Sequence, residues 1–146
     1  MRHQRGARRL RLGLGPCWRP VRALHQLQRL FDQHSFWARG RSLRSLRRML
    51  RRSDVAVTAW SRQQLIGFGR ASSDGTFRAV LWDVVVAAPH QGQGLGHRIV
   101  TELLHCPEVR DAEKVYLMTT NSAGFYRRLG FDSTHRQHLL VLHRPD

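Results

Sequence analysis

Apolar residues in the early part of this chain recur at a helical period. Val21, Leu24, Leu27, Leu30 and Phe31 share one face, which predicts a helix over 21–34. After a break near Gly40, Leu43, Leu46, Met49 and Leu50 repeat at i, i+3, i+6 and i+7, which predicts a second helix over 41–52. The period then shortens to that of a strand. Val55, Val57 and Ala59 alternate over 55–60, and Leu65, Ile66 and Phe68 begin another strand, where Gly67 and Gly69 mark a close approach or a bulge. Ser72-Ser73-Asp74-Gly75 reads as a hairpin turn. Phe77 to Val86 is a third strand, so apolar towards its end that it belongs at the centre of a sheet.

A glycine-rich stretch over 91–96 leads straight into Leu95, Ile99, Val100, Leu103 and Leu104, one face of a helix ending near 105. Residues 115–119 form a fourth strand, and 122–129 a short helix with Gly130 as its C-cap. Phe131 opens closing strands that end with Leu139 to Leu142. This order predicts an α+β (α/β three-layer) domain: a mixed, mostly antiparallel twisted sheet with helices on both faces. With 146 residues and four Trp, six Phe and two Tyr, one domain with a real core fits the chain. No apolar run reaches 18 residues, so no membrane-spanning helix is expected. Two cysteines, Cys17 and Cys106, make neither a disulfide scaffold nor a four-cysteine zinc site, and suit a cytoplasmic setting.

Charge changes the picture. The 25 basic residues outnumber 10 acidic ones, a formal +15, and every basic residue but Lys114 is arginine. Arg2, Arg5, Arg8, Arg9, Arg11 and Arg19, with no acid between them, mark residues 1–20 as a basic flexible tail ahead of a domain over 21–146. Seven more arginines, Arg39 to Arg52, surround the apolar stripe of the second helix. Tail and helix together raise the prospect of a polyanionic partner, although an arginine bias on an ordinary surface yields the same pattern. No nucleic-acid motif accompanies them, and aromatics are not interleaved with the basic cluster.

A strand, a glycine turn and an amphipathic helix make a pyrophosphate site. The first amides of the helix are unpaired, its dipole favours anions, and glycines let oxygens approach the main chain. Gly92, Gly94 and Gly96 are spaced G-x-G-x-G, which fails the dinucleotide fingerprint, and no Gly-Lys-Ser/Thr follows for a nucleoside triphosphate. Nine histidines include His97 and His105, eight apart, and His135 and His138, three apart; no carboxylate or cysteine completes a metal set.

The run Trp82-Asp83-Val84-Val85-Val86-Ala87-Ala88-Pro89-His90-Gln91-Gly92-Gln93-Gly94-Leu95-Gly96, followed by Phe125-Tyr126-Arg127-Arg128-Leu129-Gly130-Phe131, resembles the GNAT superfamily of N-acetyltransferases. Gln91, Gly94 and Gly96 match that family's phosphate motif, and Phe125, Tyr126, Gly130 and Phe131 match its later helix. The first run is most similar to the cyanobacterial and chloroplast branch, which includes serotonin N-acetyltransferase-like members. One departure is Ala88 where family members often carry proline, with Pro89 following.

The resemblance implies acetyl-CoA as co-substrate, no metal, and direct attack by a primary amine in a ternary complex. The acceptor is an arylalkylamine, a protein lysine or a protein N-terminus; the protein is a monomer or a homodimer. The implied donor-binding residues are Val84, Val85, Val86, Gln91, Gly92, Gln93, Gly94, Leu95, Gly96, His97, Asn121, Phe125 and Tyr126. The main-chain N–H of Val85 or Val86 would meet the thioester oxygen, and Tyr126 would protonate the departing sulfur. Asp83, alone among carboxylates in an apolar strand, and His90 are both candidates for the base. Asn121 either caps the short helix or touches the donor. The alternative is a basic nucleic-acid- or ribosome-docking protein built on a CoA-binding fold.

Overall fold

The computed structural model describes residues 10–12 and 20–145. Its elements are β1 (Leu10–Leu12), α1 (Pro20–His34), α2 (Leu43–Arg52), β2 (Val55–Ser61), β3 (Gln64–Ser73), β4 (Arg78–Val86), α3 (Leu95–His105), α4 (Pro107–Arg110), β5 (Lys114–Tyr116) and α5 (Ala123–Arg127). The strands form one mixed sheet in the order β1-β2-β3-β4-β5. The pairs β2–β3 and β3–β4 are antiparallel, while β1–β2 and β4–β5 are parallel.

Two faces of β3 explain the layers. Gly67 and Gly69 point one way, and a Cβ on either would stand 2.7 Å and 2.9 Å from Ile99, so their lack of a side chain seats α3 against the sheet. Phe68 points the other way and meets Phe31 of α1 edge to face, with ring centroids 5.5 Å apart. Leu24, Leu27, Leu30 and Phe31 of α1, and Leu46 and Leu50 of α2, complete that half of the core. Ser42 starts α2 by accepting the Ser45 N–H on its Oγ at 3.1 Å.

The sheet departs from the sequence expectation at both ends. Part of the expected tail, Leu10–Leu12, is a strand beside Ala59–Ser61, and Pro20 already belongs to α1; residues 1–9 and 13–19, with Cys17, lie outside the described residues. The expected closing strands are absent among the described residues beyond α5: residues 131–145 take no regular structure. Leu139, Leu140, Val141 and Leu142 are 67%, 88%, 61% and 77% exposed. β5 is shorter than expected, and α4, opening on Pro107, stands unforeseen before it. The third strand starts at Arg78 because Asp74 draws the turn onwards: its carboxylate accepts the N–H groups of Thr76, Phe77 and Arg78. Those amides, Thr76 foremost, hold the Asp74 carboxyl below its ordinary value.

Candidate active site

β4 and β5 share register only from Arg78–Lys114 to Val80–Tyr116, and β4 then runs on to Val86 alone on that edge. The strands therefore part, leaving a notch beside residues 81–86. Within β4 a bulge forms: Arg70 faces Trp82 and Phe68 faces Val85, so Asp83 and Val84 together oppose Gly69. Asp83 takes the left-handed conformation there, φ 53°. Beyond the bulge the ladder is regular, and the Ala87 N–H donates to the Ile66 carbonyl at 2.8 Å. By alternation the Val85 N–H also turns to β3 and the Val86 N–H turns to the notch. Of the two main-chain donors expected for the thioester oxygen, Val85 is thus committed to the sheet and Val86 is available. The Val85 side chain is likewise buried in the core.

After β4 a short 3-10 turn, Ala88–His90, delivers the chain to the glycine loop. With alanine in place of proline at position 88, that residue keeps an N–H, which donates to His34 Nδ1 at the end of α1, 3.1 Å away. Gln91 ties the loop back to β4 through its Nε2, which donates to the Val86 carbonyl at 2.9 Å. Gly92 and Gly94 both have φ near +78°, and a Cβ on either would meet nothing within 4 Å. Gly94 is the N-cap of α3 without a side-chain cap. Among the described residues no backbone acceptor meets the N–H groups of 94–97, at the start of α3. This open, amide-lined helix start fits an anionic phosphate group. Gly96 serves packing: a Cβ there would lie 3.3 Å from the Phe125 ring, so α5 packs directly on the first turn of α3.

Two cavities adjoin this frame. The first, about 580 Å³, is lined by Val84, Val86, His90, Gln91, Gly92, Gly94, Leu95, Gly96, His97, Ser122, Phe125, Tyr126 and Arg128. The second, about 390 Å³, lies against Phe36, Trp37, Trp82, Asp83, Leu117, Met118 and Asn121, among others. Val84, Ser122 and Tyr126 border both, so Tyr126 stands where they meet. Burial pushes the Tyr126 phenol above its ordinary value. Its ring packs edge to face against Phe125 and Phe131.

Most residues expected to bind the donor therefore gather at the first cavity. Two do not. Gln93 is exposed and does not line it. Asn121 lines the second cavity instead, and it does not cap α5: Ser122 holds the N-cap and donates from its Oγ to Asn121 Oδ1 at 3.3 Å. Sequence reasoning missed Arg128, the C-cap of α5, whose signal was its position three residues after Phe125. It also missed the surroundings of Asp83, whose side chain is 6% exposed. Arg70 Nε donates to Asp83 Oδ2 at 2.8 Å, Arg41 Nη1 lies 3.2 Å from the same oxygen, and Trp37 Nε1 donates to Oδ1 at 3.0 Å. Burial raises the Asp83 carboxyl, but hydrogen bonding and charge from Arg70, with Arg41, outweigh it and leave the value lowered. Among the described residues no group of three or more His, Cys, Asp or Glu gathers as for a metal, and no helix is long and apolar enough to cross a membrane.

The model of the acetyltransferase (GNAT) family matches residues 17–131. The chain belongs to that family. It is 34% identical to the uncharacterized N-acetyltransferase ycf52 of Gracilaria tenuistipitata var. liui, over 74% of this chain and 61% of that protein. It is 34% identical to a histone acetyltransferase of Glycine max over 75% and 52% of the two chains, and 37% identical to the chloroplastic serotonin N-acetyltransferase 2 of Oryza sativa over 59% and 46%. The chain thus spans about half to three fifths of the length of these curated relatives. Among solved structures, a putative acetyltransferase of Deinococcus radiodurans R1 superposes with a TM-score of 0.69 at 30% identity, covering 83% of this chain and 80% of that one. A Brucella melitensis GNAT acetyltransferase solved with acetyl-CoA gives 0.61 at 20%, covering 81% of each, a likeness of fold.

Proposed function

We propose that this chain moves the acetyl group of acetyl-CoA to a primary amine. One observation carries the reading: the cavity at the open, amide-lined start of α3 and a second, aromatic-walled cavity meet at the Tyr126 phenol, whose value is raised by burial. The co-substrate supplies an activated acetyl thioester. The amides of 92–97 hold its diphosphate, Arg128 adds a positive charge at the same wall, and Val84 and Val86 flank its arm along the notch. The amine enters from the second cavity. Its nitrogen attacks the thioester carbonyl carbon, and the C–N bond forms as the C–S bond breaks. The Val86 N–H faces the carbonyl oxygen as charge gathers there. The sulfur departs with the electron pair and takes the Tyr126 proton, while the surplus proton on nitrogen leaves through water, which reprotonates the Tyr126 phenolate before the next turnover. Asp83, ionised between two guanidinium groups, is a poor receiver for that proton.

The amine class stays as broad as arylalkylamine, protein lysine or protein N-terminus. We assign a reducing compartment, cytoplasm or, after the chloroplastic relatives, a plastid interior. The basic surface supports a further contact: Arg44, Arg47, Arg48, Arg51 and Arg52 of α2 are exposed, and among the described residues none has an acidic partner. A polyanion is the partner that such a face recruits. The test of the enzymatic reading is product analysis by mass spectrometry, with acetyl-CoA offered to a panel of aromatic and aliphatic amines and to a peptide library. Stoichiometric acetyl-amine and free thiol support it; hydrolysis alone, or no turnover of any amine, overturns it.

A further inference from the structure

We propose that Asp83 is a positioning residue, a latch that fixes the segment between α1 and α2 as one wall of the acceptor cavity, with Trp37 as the part it sets. For its kinetic arm this rests on the acetyl-transfer reading; for its structural arm it does not.

The segment over 35–42 has no regular secondary structure beyond turns, yet it carries Phe36 and Trp37 into the lining of the smaller cavity. Phe36 is 58% exposed and Trp37 46%, so burial does little to hold either in place. Its main chain is pinned by Ala38, wholly buried in the core, and by the Ser35 N–H, which donates to the Phe31 carbonyl at 3.0 Å; the remaining ties are polar. The Gly40 N–H donates to Asp32 Oδ1 at 3.0 Å, and Gln28 Nε2 donates to the Arg41 carbonyl at 3.1 Å. Those bonds anchor the later half to α1. The earlier half, with Trp37, is tied to the sheet through Asp83.

That single carboxylate joins the segment twice. One oxygen accepts the indole N–H of Trp37, and the other faces Arg41 while accepting from Arg70 of β3. Arg41 also lies over the Phe31 ring, 5.4 Å from its centroid, which fixes the guanidinium against α1. The bulge makes this possible. In a regular strand a residue at 83 would aim squarely at one face, whereas the left-handed turn at Asp83 swings its carboxylate towards the end of α1. Aspartate and asparagine are the side chains that tolerate that conformation best, apart from glycine. The carboxylate is fully engaged by two cations and an indole, an arrangement suited to holding a wall and ill suited to accepting a proton.

Three variants test it in the 146-residue chain: Asp83→Asn, which keeps the backbone preference and an acceptor for the indole but loses the charge; Asp83→Ala, which loses both; and Trp37→Phe. The indole region of a proton–nitrogen correlation spectrum is read first, with the signal missing in Trp37→Phe identifying Trp37. Solvent exchange of that indole is expected to be slow in the parent, faster in Asp83→Asn and fastest in Asp83→Ala. Acetyl-CoA affinity by calorimetry is expected to stay within about twofold in all three, since none of these residues lines the donor cavity. With 2-phenylethylamine as the probe acceptor, KM should rise about tenfold in Asp83→Asn while kcat changes less than about threefold. The proposal is overturned by indole exchange unchanged in Asp83→Asn, by a kcat loss at constant KM, which would make Asp83 the base, or by a parallel loss of acetyl-CoA affinity. Should Asp83→Ala fail to fold, Asp83→Asn and Trp37→Phe decide it. If the parent binds acetyl-CoA yet acetylates no amine, the acetyl-transfer reading fails and the indole exchange still decides the latch.

Discussion

Tyr126 and Asp83 show how environment assigns roles to single residues. The phenol, half-buried between Phe125 and Phe131, is pushed above an ordinary value near 10, so it stays protonated at neutral pH. Tyr126→Phe is therefore expected to lower kcat by roughly 10² or more with little change in acetyl-CoA affinity. In the parent, kcat should climb with pH as the amine deprotonates and should show no loss attributable to the phenol below about pH 10. A steady-state pH profile of both proteins checks this; equal kcat at every pH would remove Tyr126 from the chemistry. Asp83 titrates the other way. Its carboxyl is lowered in the folded protein, so its contribution to stability is present above the unfolded value of 3.8 and is lost as pH falls through the lower, folded value. Acid unfolding of Asp83→Asn should accordingly show a shallower pH dependence below 3.8 than that of the parent. The aromatic neighbours of Tyr126 lie in one short run of sequence, but the environment of Asp83 was not legible there: Arg70 is 13 residues from Asp83 along the chain and Trp37 is 46. Asp83 stands out in its apolar strand by composition alone, but its partners are a fact of tertiary structure.

At the scale of elements, glycine does the positioning. Gly67 and Gly69 let α3 settle on the sheet, and α3 in turn aims its first amides at the larger of the two cavities. At Gly67 a methyl group would meet not only the mobile tip of Ile99 at 2.7 Å but also the Ala59 Cβ at 3.2 Å, which has no rotamer to yield. Gly67→Ala should therefore cost about 1–3 kcal/mol by overcrowding, read as a lower denaturation midpoint at unchanged denaturant slope. The same geometry explains which elements the sequence revealed. Strand, glycine turn and helix over 78–105 are encoded locally, by apolar period and by residues without a Cβ, and they stand as expected. The end strands depend on partners far away. Leu10–Leu12 alternates leucine with arginine only briefly, in a stretch whose arginines and glycines read as a tail, yet it pairs beside β2. Leu139 to Leu142 read as a strand by composition, yet β5 is ordered for only three residues and these four side chains face solvent. The cap of α5 shifted by one residue, from Asn121 to Ser122, the ordinary uncertainty of a helix start.

For the molecule as a whole, the +15 charge is uneven, and α2 concentrates it on a helix whose apolar stripe is already buried. A helix anchored by Leu46 and Leu50 cannot also sink that stripe into a bilayer, so its arginines act from the surface. Polyanion binding through α2 should weaken steeply with salt. Changing Arg44, Arg48 and Arg52 to Gln should flatten the logarithmic salt slope against a DNA duplex by about 3, at near 0.9 for each phosphate no longer neutralised. An unchanged slope would exclude the helix as the docking face. This partner and the acetyl donor both carry phosphate, and they part on salt: closely held diphosphate against main-chain amides is far less screened than a surface ladder of arginines.

The most direct measurement is therefore a calorimetric titration of acetyl-CoA at raised salt into the parent and into Gly94→Glu. Gly94 has a left-handed φ and open space where a side chain would go, so glutamate there puts both bulk and negative charge into the proposed cradle. Saturable one-to-one binding by the parent that falls at least a hundredfold in the variant, while its thermal unfolding remains cooperative, is the predicted result. Equal affinity in the two proteins, or no binding by the parent, would contradict the account.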